Sequence, residues 1–287
     1  MKRFITKSLG ILINATARLF PKWSTNFSFN LLCKVQQVGI SEKGRKFLGT
    51  AQTTFLNIDG HAATLHHWGT GPKVVFFLHG WMSNSQRWQP YLERLDLNQH
   101  TVYALDAPGH GMSKGKHLNI EMYRKAVVKS IEKIGRIDTL ICHSLGSLIA
   151  AYNYLSNTQT PIASYVIMGA PSGMDAIFAY FQDLLGLSEM AIANLDTKVN
   201  AILKIPHQDI LMARFFEKVD RPVLVIPDVA DTITPFEPIE RALQQHKAIE
   251  AMFTTGLKHD LKSEDVYTRV IAFIEDKQLK TGRSYSA

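Results

Sequence analysis

The 287-residue chain has only two cysteines, Cys33 and Cys142. Two are too few for a disulfide framework, and such sparing use fits a reducing compartment. No uninterrupted apolar run reaches the roughly 18 residues of a spanning helix. No internal repeat or low-complexity tract is visible, which argues against solenoids and arrays. No GxGxxG stretch is present, and no His/Cys/Asp spacing suggests a metal site. The residues therefore call for neither a cofactor nor a metal.

Acid is scarce in one region. Residues 1–50 hold nine Lys or Arg and a single acid, Glu42, a local charge of +8. The whole chain carries +7, so the remainder is −1. A body this close to neutral gives no sign of a nucleic-acid surface. Hydrophobic content of 46% and charge of 20% are those of a globular protein. The length allows one large α/β domain with an insertion, or two small domains.

The basic arm has a pattern of its own. Ile5, Leu9, Leu12, Ile13, Thr16, Leu19 and Phe20 fall near helical spacing, and Pro21 ends the run. The stripe can pack on the main domain, which is the preferred expectation. It can also lay residues 1–20 on an anionic membrane surface. Met1-Lys2-Arg3 and Ala15-Thr16-Ala17 imitate the ends of a signal peptide, but Lys7 breaks the apolar region between them. The expected location is cytoplasmic, with peripheral contact at the inner membrane surface as an option.

Beyond the arm, short apolar runs alternate with helical patterns. Residues 53–58 and 62–68 alternate around Asp59-Gly60, as in a β-hairpin. Strands are expected at 73–78, 101–105, 138–142, 162–168, 223–226 and 249–253. Helices are expected at 85–95, 119–134, 145–155, 235–246 and 261–277. That order implies a doubly wound, mostly parallel eight-stranded α/β sheet. Residues 172–218 interrupt it with helical runs and no strand, as an inserted lid would. The expected partition is an arm over 1–50, a core over 51–171 and 219–287, and a helical cap over 172–218.

The strand at 138–142 stops at a small-x-Ser-x-Gly turn, Cys142-His143-Ser144-Leu145-Gly146, and a helix follows at once. Strand, sharp turn and helix are the context that lifts a serine out of a sheet as a nucleophile. Such a serine needs a base, an orienting acid and an oxyanion hole at neighbouring strand ends. His259 follows the last strand, and Gly256 frees its loop. Asp231 lies just past the strand at 223–226. Asp228 is its rival, but Asp231 has more loop behind it and Pro235 starts the next helix. The N–H groups of Trp81, after Gly80, and of Leu145 are the expected oxyanion donors. His79 is expected to shape its loop rather than act as the base. Met174, Phe178 and Phe181, in the insert, are the expected substrate-contacting residues, and they suit a hydrophobic acyl or alcohol group equally with plain packing.

Taken together, His79-Gly80-Trp81, Asp106-Ala107-Pro108-Gly109-His110-Gly111-Met112-Ser113, Cys142-His143-Ser144-Leu145-Gly146, Asp231 and His259 resemble the α/β-hydrolase superfamily over about residues 53–277. The resemblance implies a Ser-His-Asp hydrolase and favours Asp231 over Asp228. It also implies a helical cap at the strandless insert. Cys142 departs from the usual glycine; cysteine is small enough for the turn. Serine rather than aspartate as the nucleophile argues against haloalkane dehalogenase or epoxide hydrolase chemistry. The expected activity is hydrolysis of a small-molecule carboxylic ester or thioester through an acyl-enzyme. The alternatives are carbon–carbon bond hydrolysis or a lipase-like activity on the same triad, or a non-catalytic ligand-binding member of the fold.

Overall fold

A computed structural model describes residues 2–276 of the chain. Met1 and residues 277–287, including the expected last turn at Lys277, lie outside the described residues, as does the side chain of Ile5. Three helices precede the sheet: α1 (Lys2–Ala17), α2 (Pro21–Leu32) and α3 (Glu42–Leu48). The hairpin strands β1 (Gln52–Ile58) and β2 (His61–Trp68) follow. Asp59 and Gly60 both take positive φ at their turn, as a two-residue loop between right-twisted strands requires. The chain continues through β3 (Lys73–Leu78), α4 (Gln89–Leu92), β4 (His100–Asp106), α5 (Ile120–Ile134), β5 (Thr139–His143), α6 (Leu145–Ser156) and β6 (Tyr165–Met168). Three inserted helices come next: α7 (Met174–Leu185), α8 (Glu189–Asn200) and α9 (Met212–Lys218). Then follow β7 (Val223–Ile226), α10 (Phe236–Gln245), β8 (Glu250–Ala251) and α11 (Glu264–Glu275).

The eight strands form one sheet in the order β1-β2-β4-β3-β5-β6-β7-β8. β2 runs antiparallel to both of its neighbours, β1 and β4; from β4 onward all pairings are parallel. The parallel strands are apolar on both sides because helices cover both faces. Alternate residues of β3 show this: Phe76 and Leu78 join a core with α5 and α6, whereas Val75 and Phe77 join a second with α4 and α11. Each such buried side chain contributes about 1.5–3 kcal/mol.

Two expected elements are shorter than the pattern suggests. The helix expected at 85–95 is a 3-10 turn, Ser85–Trp88, followed by the single turn α4. Pro90 has no N–H to donate, so one continuous helix does not form. The last strand, expected at 249–253, pairs only at Glu250 and Ala251, on the sheet edge.

The arm is not an appendage. α1 packs on α7 and α8, so the stripe meets the inserted helices rather than the sheet. Ile13 and Ala17 are buried there, but Leu12, Leu19 and Phe20 of the same expected stripe are exposed. At Gly10 the two helices approach so closely that a Cβ would collide with the Leu185 carbonyl. Asn14 donates to Gly186 O at 2.8 Å and accepts from Ser188 N at 2.8 Å. Past α2, residues 33–35 exchange backbone hydrogen bonds with residues 116–118. Ser41 caps α3 and donates through both N–H and Oγ to Gln86 Oε1 at 3.0 Å. Among the described residues, no helix is long and apolar enough to cross a membrane.

Candidate active site

β5 is buried along its length and delivers Ser144 at its end. Ser144 has φ 55° and ψ −123°, a conformation L-residues avoid, at the N-cap of α6. The neighbours explain why the turn needs small residues. A Cβ on Gly146 would lie 2.5 Å from Leu78 O, and one on Gly80 would lie 2.6 Å from Ser144 Cβ. Cys142 is fully buried, and burial pushes its thiol pKa well up, so it packs as a small neutral side chain.

Three distant loops converge on Ser144. His259 Nε2 lies 2.9 Å from Ser144 Oγ, and His259 Nδ1 lies 2.8 Å from Asp231 Oδ2. A carboxylate only accepts, so the imidazole carries its proton on Nδ1 and turns a lone pair toward the hydroxyl. Asp231 also accepts from Thr234 Oγ1 at 2.6 Å and from the N–H groups of Ile233 at 2.8 Å and Thr234 at 3.0 Å. Burial alone would raise its pKa. The hydrogen bonds from His259, Thr234 and Ile233 outweigh burial and hold it below the ordinary carboxylate range. Asp228 does not touch the imidazole. It accepts from Thr254 Oγ1 at 2.8 Å and Leu257 N at 2.9 Å, fastening the loop that leads to His259.

Trp81 lines the same cleft as Ser144, and Leu145 directly follows the serine. Leu145 is the first residue of α6, where an N–H has no partner within the helix and the dipole favours negative charge. His79 is fully buried; its Nε2 accepts from Ala107 N at 3.1 Å and its Nδ1 donates to Gly80 O at 2.7 Å. Burial brings its pKa down to about 3. With both ring nitrogens engaged by backbone, it holds the loop. The Asp106–Ser113 loop braces the same region. Asp106 accepts from Ser85 N at 2.7 Å and Met112 N at 2.8 Å, and His110 Nε2 accepts from Met82 N at 3.2 Å.

A cleft of about 480 Å³ opens at Ser144, His143 and His259. Its walls come from the arm and the loop after β3, notably Val38, Ser41, Lys43, Trp81, Met82 and Arg87. No residue of 172–218 lines it. This corrects the expectation for Met174, Phe178 and Phe181, which are 2%, 6% and 6% exposed and sit in the core. Their apolar faces are used up by packing among the inserted helices and α1, so none is left for a ligand. Sequence reasoning missed Val38, Ser41 and Lys43 because nothing local marks them. Their place at the cleft depends on Gln86, 45 residues beyond Ser41. Among the described residues, no group of three His, Cys, Asp or Glu side chains could hold a metal ion.

The geometry has counterparts among known proteins. The chain is 34% identical over 96 residues to the pimeloyl-[acyl-carrier protein] methyl ester esterase of Vibrio vulnificus strain CMCP6. That match covers 32% of this chain and 36% of the relative, so it spans about a third of the relative's length. An esterase of Pyrococcus furiosus superposes with a TM-score of 0.61 at 21% identity, covering 84% of this chain and 95% of that one. The thioesterase domain from the curacin biosynthetic pathway superposes with a TM-score of 0.56 at 15% identity, covering 78% and 99%. At these identities the two structures establish the fold alone. The profile of the family described as "Alpha/beta hydrolase family" matches residues 75–284. The chain belongs to the alpha/beta hydrolase family.

Proposed function

We propose that the protein is a serine hydrolase that cleaves carboxylic esters or thioesters through an acyl-enzyme on Ser144. The observation that carries this reading is the hydrogen-bonded chain Asp231–His259–Ser144, with Ser144 raised on a positive-φ turn. The Vibrio relative is a methyl ester esterase, which agrees with it.

The steps follow from the geometry. His259 Nε2 takes the hydroxyl proton as Oγ attacks the acyl carbon. Asp231, kept ionised, holds the Nδ1–H tautomer and stabilises the imidazolium. The N–H groups of Trp81 and Leu145 receive the oxyanion of the tetrahedral intermediate. The imidazolium then protonates the leaving alcohol or thiol, and an acyl-Ser144 remains. Water, deprotonated by the same Nε2, attacks the acyl carbon; the bond to Oγ then breaks, the acid is released and the imidazolium returns its proton to Ser144 Oγ. Val38, Trp81, Met82 and Pro90 supply apolar wall for the hydrophobic acyl or alcohol part, in place of the inserted helices.

The test is labelling with a fluorophosphonate and turnover of p-nitrophenyl esters of graded acyl length. A single adduct on Ser144, with both labelling and turnover lost in Ser144→Ala, is expected. Turnover that survives in Ser144→Ala would refute the assignment.

A further inference from the structure

The cleft holds a cation that the proposed acyl-transfer steps do not use. Arg87 lies in the 3-10 turn after the Trp81 loop and lines the same cleft as Ser144 and His259. Its Nη2 donates to the Asp260 backbone carbonyl at 3.1 Å, and its guanidinium carbon lies 5.1 Å from the centre of the Trp88 ring. Its Nε is buried and has no hydrogen-bond partner.

The nearby carboxylates have other partners, although the Asp260 charge also reaches Arg87. Asp260 pairs with Lys262 at 3.5 Å, and Glu264 with Arg94 at 2.6 Å. Asp106 is bound to His66 at 3.1 Å and to the backbone of Ser85 and Met112. Arg87 thus makes no ion pair among the described residues. Arg87 is half-buried, so its charge is partly withdrawn from water without a carboxylate beside it to compensate. The Asp260 carbonyl and the Trp88 ring hold the guanidinium in place but carry no formal charge, and an anion in the cleft would supply the counter-charge. The rest of the lining has the same sign: Lys43 and Lys262 join Arg87, against one acid, Asp260.

We propose that the cleft contains an oxyanion subsite centred on Arg87, with Lys43 and Lys262 at its rim. It takes a carboxylate or a phosphate carried on the part of the ester that is not cleaved. The planar guanidinium fork matches both groups, and a partly dry cleft strengthens the attraction. The substrate is accordingly bifunctional, with a scissile ester at one end and an anion at the other. This inference rests on the hydrolase reading of Ser144 for its place in a reaction, but the subsite itself can be measured without turnover.

Three series of methyl esters make the test: straight-chain esters ending in a carboxylate, in a phosphate, or in a neutral amide. Wild-type kcat/KM is expected to favour one charged series over the amide by about tenfold, mainly through KM, and added salt is expected to erode the preference. The better charged series identifies the anion. Arg87→Gln is expected to bring the charged-to-neutral ratio close to one, and Arg87→Lys to restore part of it. Because the ratio is taken within each variant, a general loss of activity from the Asp260 contact cancels. Calorimetric titration of Ser144→Ala with the same esters reads the subsite without chemistry. Equal binding of charged and neutral esters there, or an unchanged ratio in Arg87→Gln, overturns the subsite. If no ester is turned over while Ser144→Ala still prefers the anion, the subsite stands and the hydrolase reading falls.

Discussion

His143 Nε2 donates to the backbone carbonyl of His259 at 2.7 Å, so the residue beside the proposed nucleophile holds the loop of the proposed base. A carbonyl only accepts, which places the His143 proton on Nε2. Its Nδ1 is buried without a partner, and burial pushes its pKa well below the ordinary value. A neutral imidazole in this place positions rather than titrates. The loop it holds is strained, with Lys258 at φ 55° and Leu261 at φ 51°.

His143→Phe is therefore expected to lower kcat by about tenfold with little change in KM, the scale of one lost buried hydrogen bond. His143→Gln, which keeps an N–H donor, is expected to recover part of it. Identical kcat in His143→Phe and wild type would show that the tether does nothing for the reaction.

Asp231 and Asp228 are three residues apart and have different partners. Asp231→Asn is expected to cost about 10⁴-fold in kcat, because the imidazole loses its tautomer and its counter-charge. Asp228→Asn loosens only the loop at Thr254 and Leu257, so a far smaller loss is expected, accompanied by a lower Tm. Comparable kcat losses in the two variants would contradict this division.

Three buried histidines set the acid side of stability. His79, His110 and His143 are all neutral in the fold, chiefly because burial lowers their pKa values, His79 to about 3. The unfolded chain binds protons on them below about pH 6.5 and the folded chain does not. Stability is therefore present above that pH and is lost as pH falls, at a slope approaching about 1.4 kcal/mol per pH unit for each histidine that is still neutral in the fold. Asp106, Asp228 and Asp231, whose pKa values are lowered, add to the loss only below about pH 4. Tm measured from pH 7.5 to 5 should decline; a flat profile would mean these rings are not buried neutral.

Gly10 permits the closest approach between α1 and the inserted helices. Gly10→Val would drive a branched side chain into the Leu185 carbonyl. Faster proteolysis between residues 18 and 33 is expected, with a Tm fall of the size that overpacking by about 1–3 kcal/mol produces. Wild-type resistance to protease in this variant would mean α1 docks in another way.

Much of the candidate site was legible because its cues are local. The turn at Ser144 is marked by small residues on either side, which the collisions at Gly146 and Gly80 make necessary. The alternation of strands and helices reads directly as the parallel sheet, since both-face burial makes each strand continuously apolar. The cleft walls were not legible. Met174, Phe178 and Phe181 have the composition of a ligand pocket, but composition does not say which apolar face is already covered.

The sequence by itself determined the fold class, the strained serine turn and the chain order of serine, acid and histidine. Periodicity, turn chemistry and small-residue spacing are properties of neighbouring residues, so they survive without coordinates. Only the tertiary structure decided that Asp231 rather than Asp228 meets the imidazole, that α1 covers the inserted helices, and that the arm walls the cleft. Each of those depends on contacts between segments far apart in the chain. No local preference encodes them, because they are settled by packing the whole molecule at once.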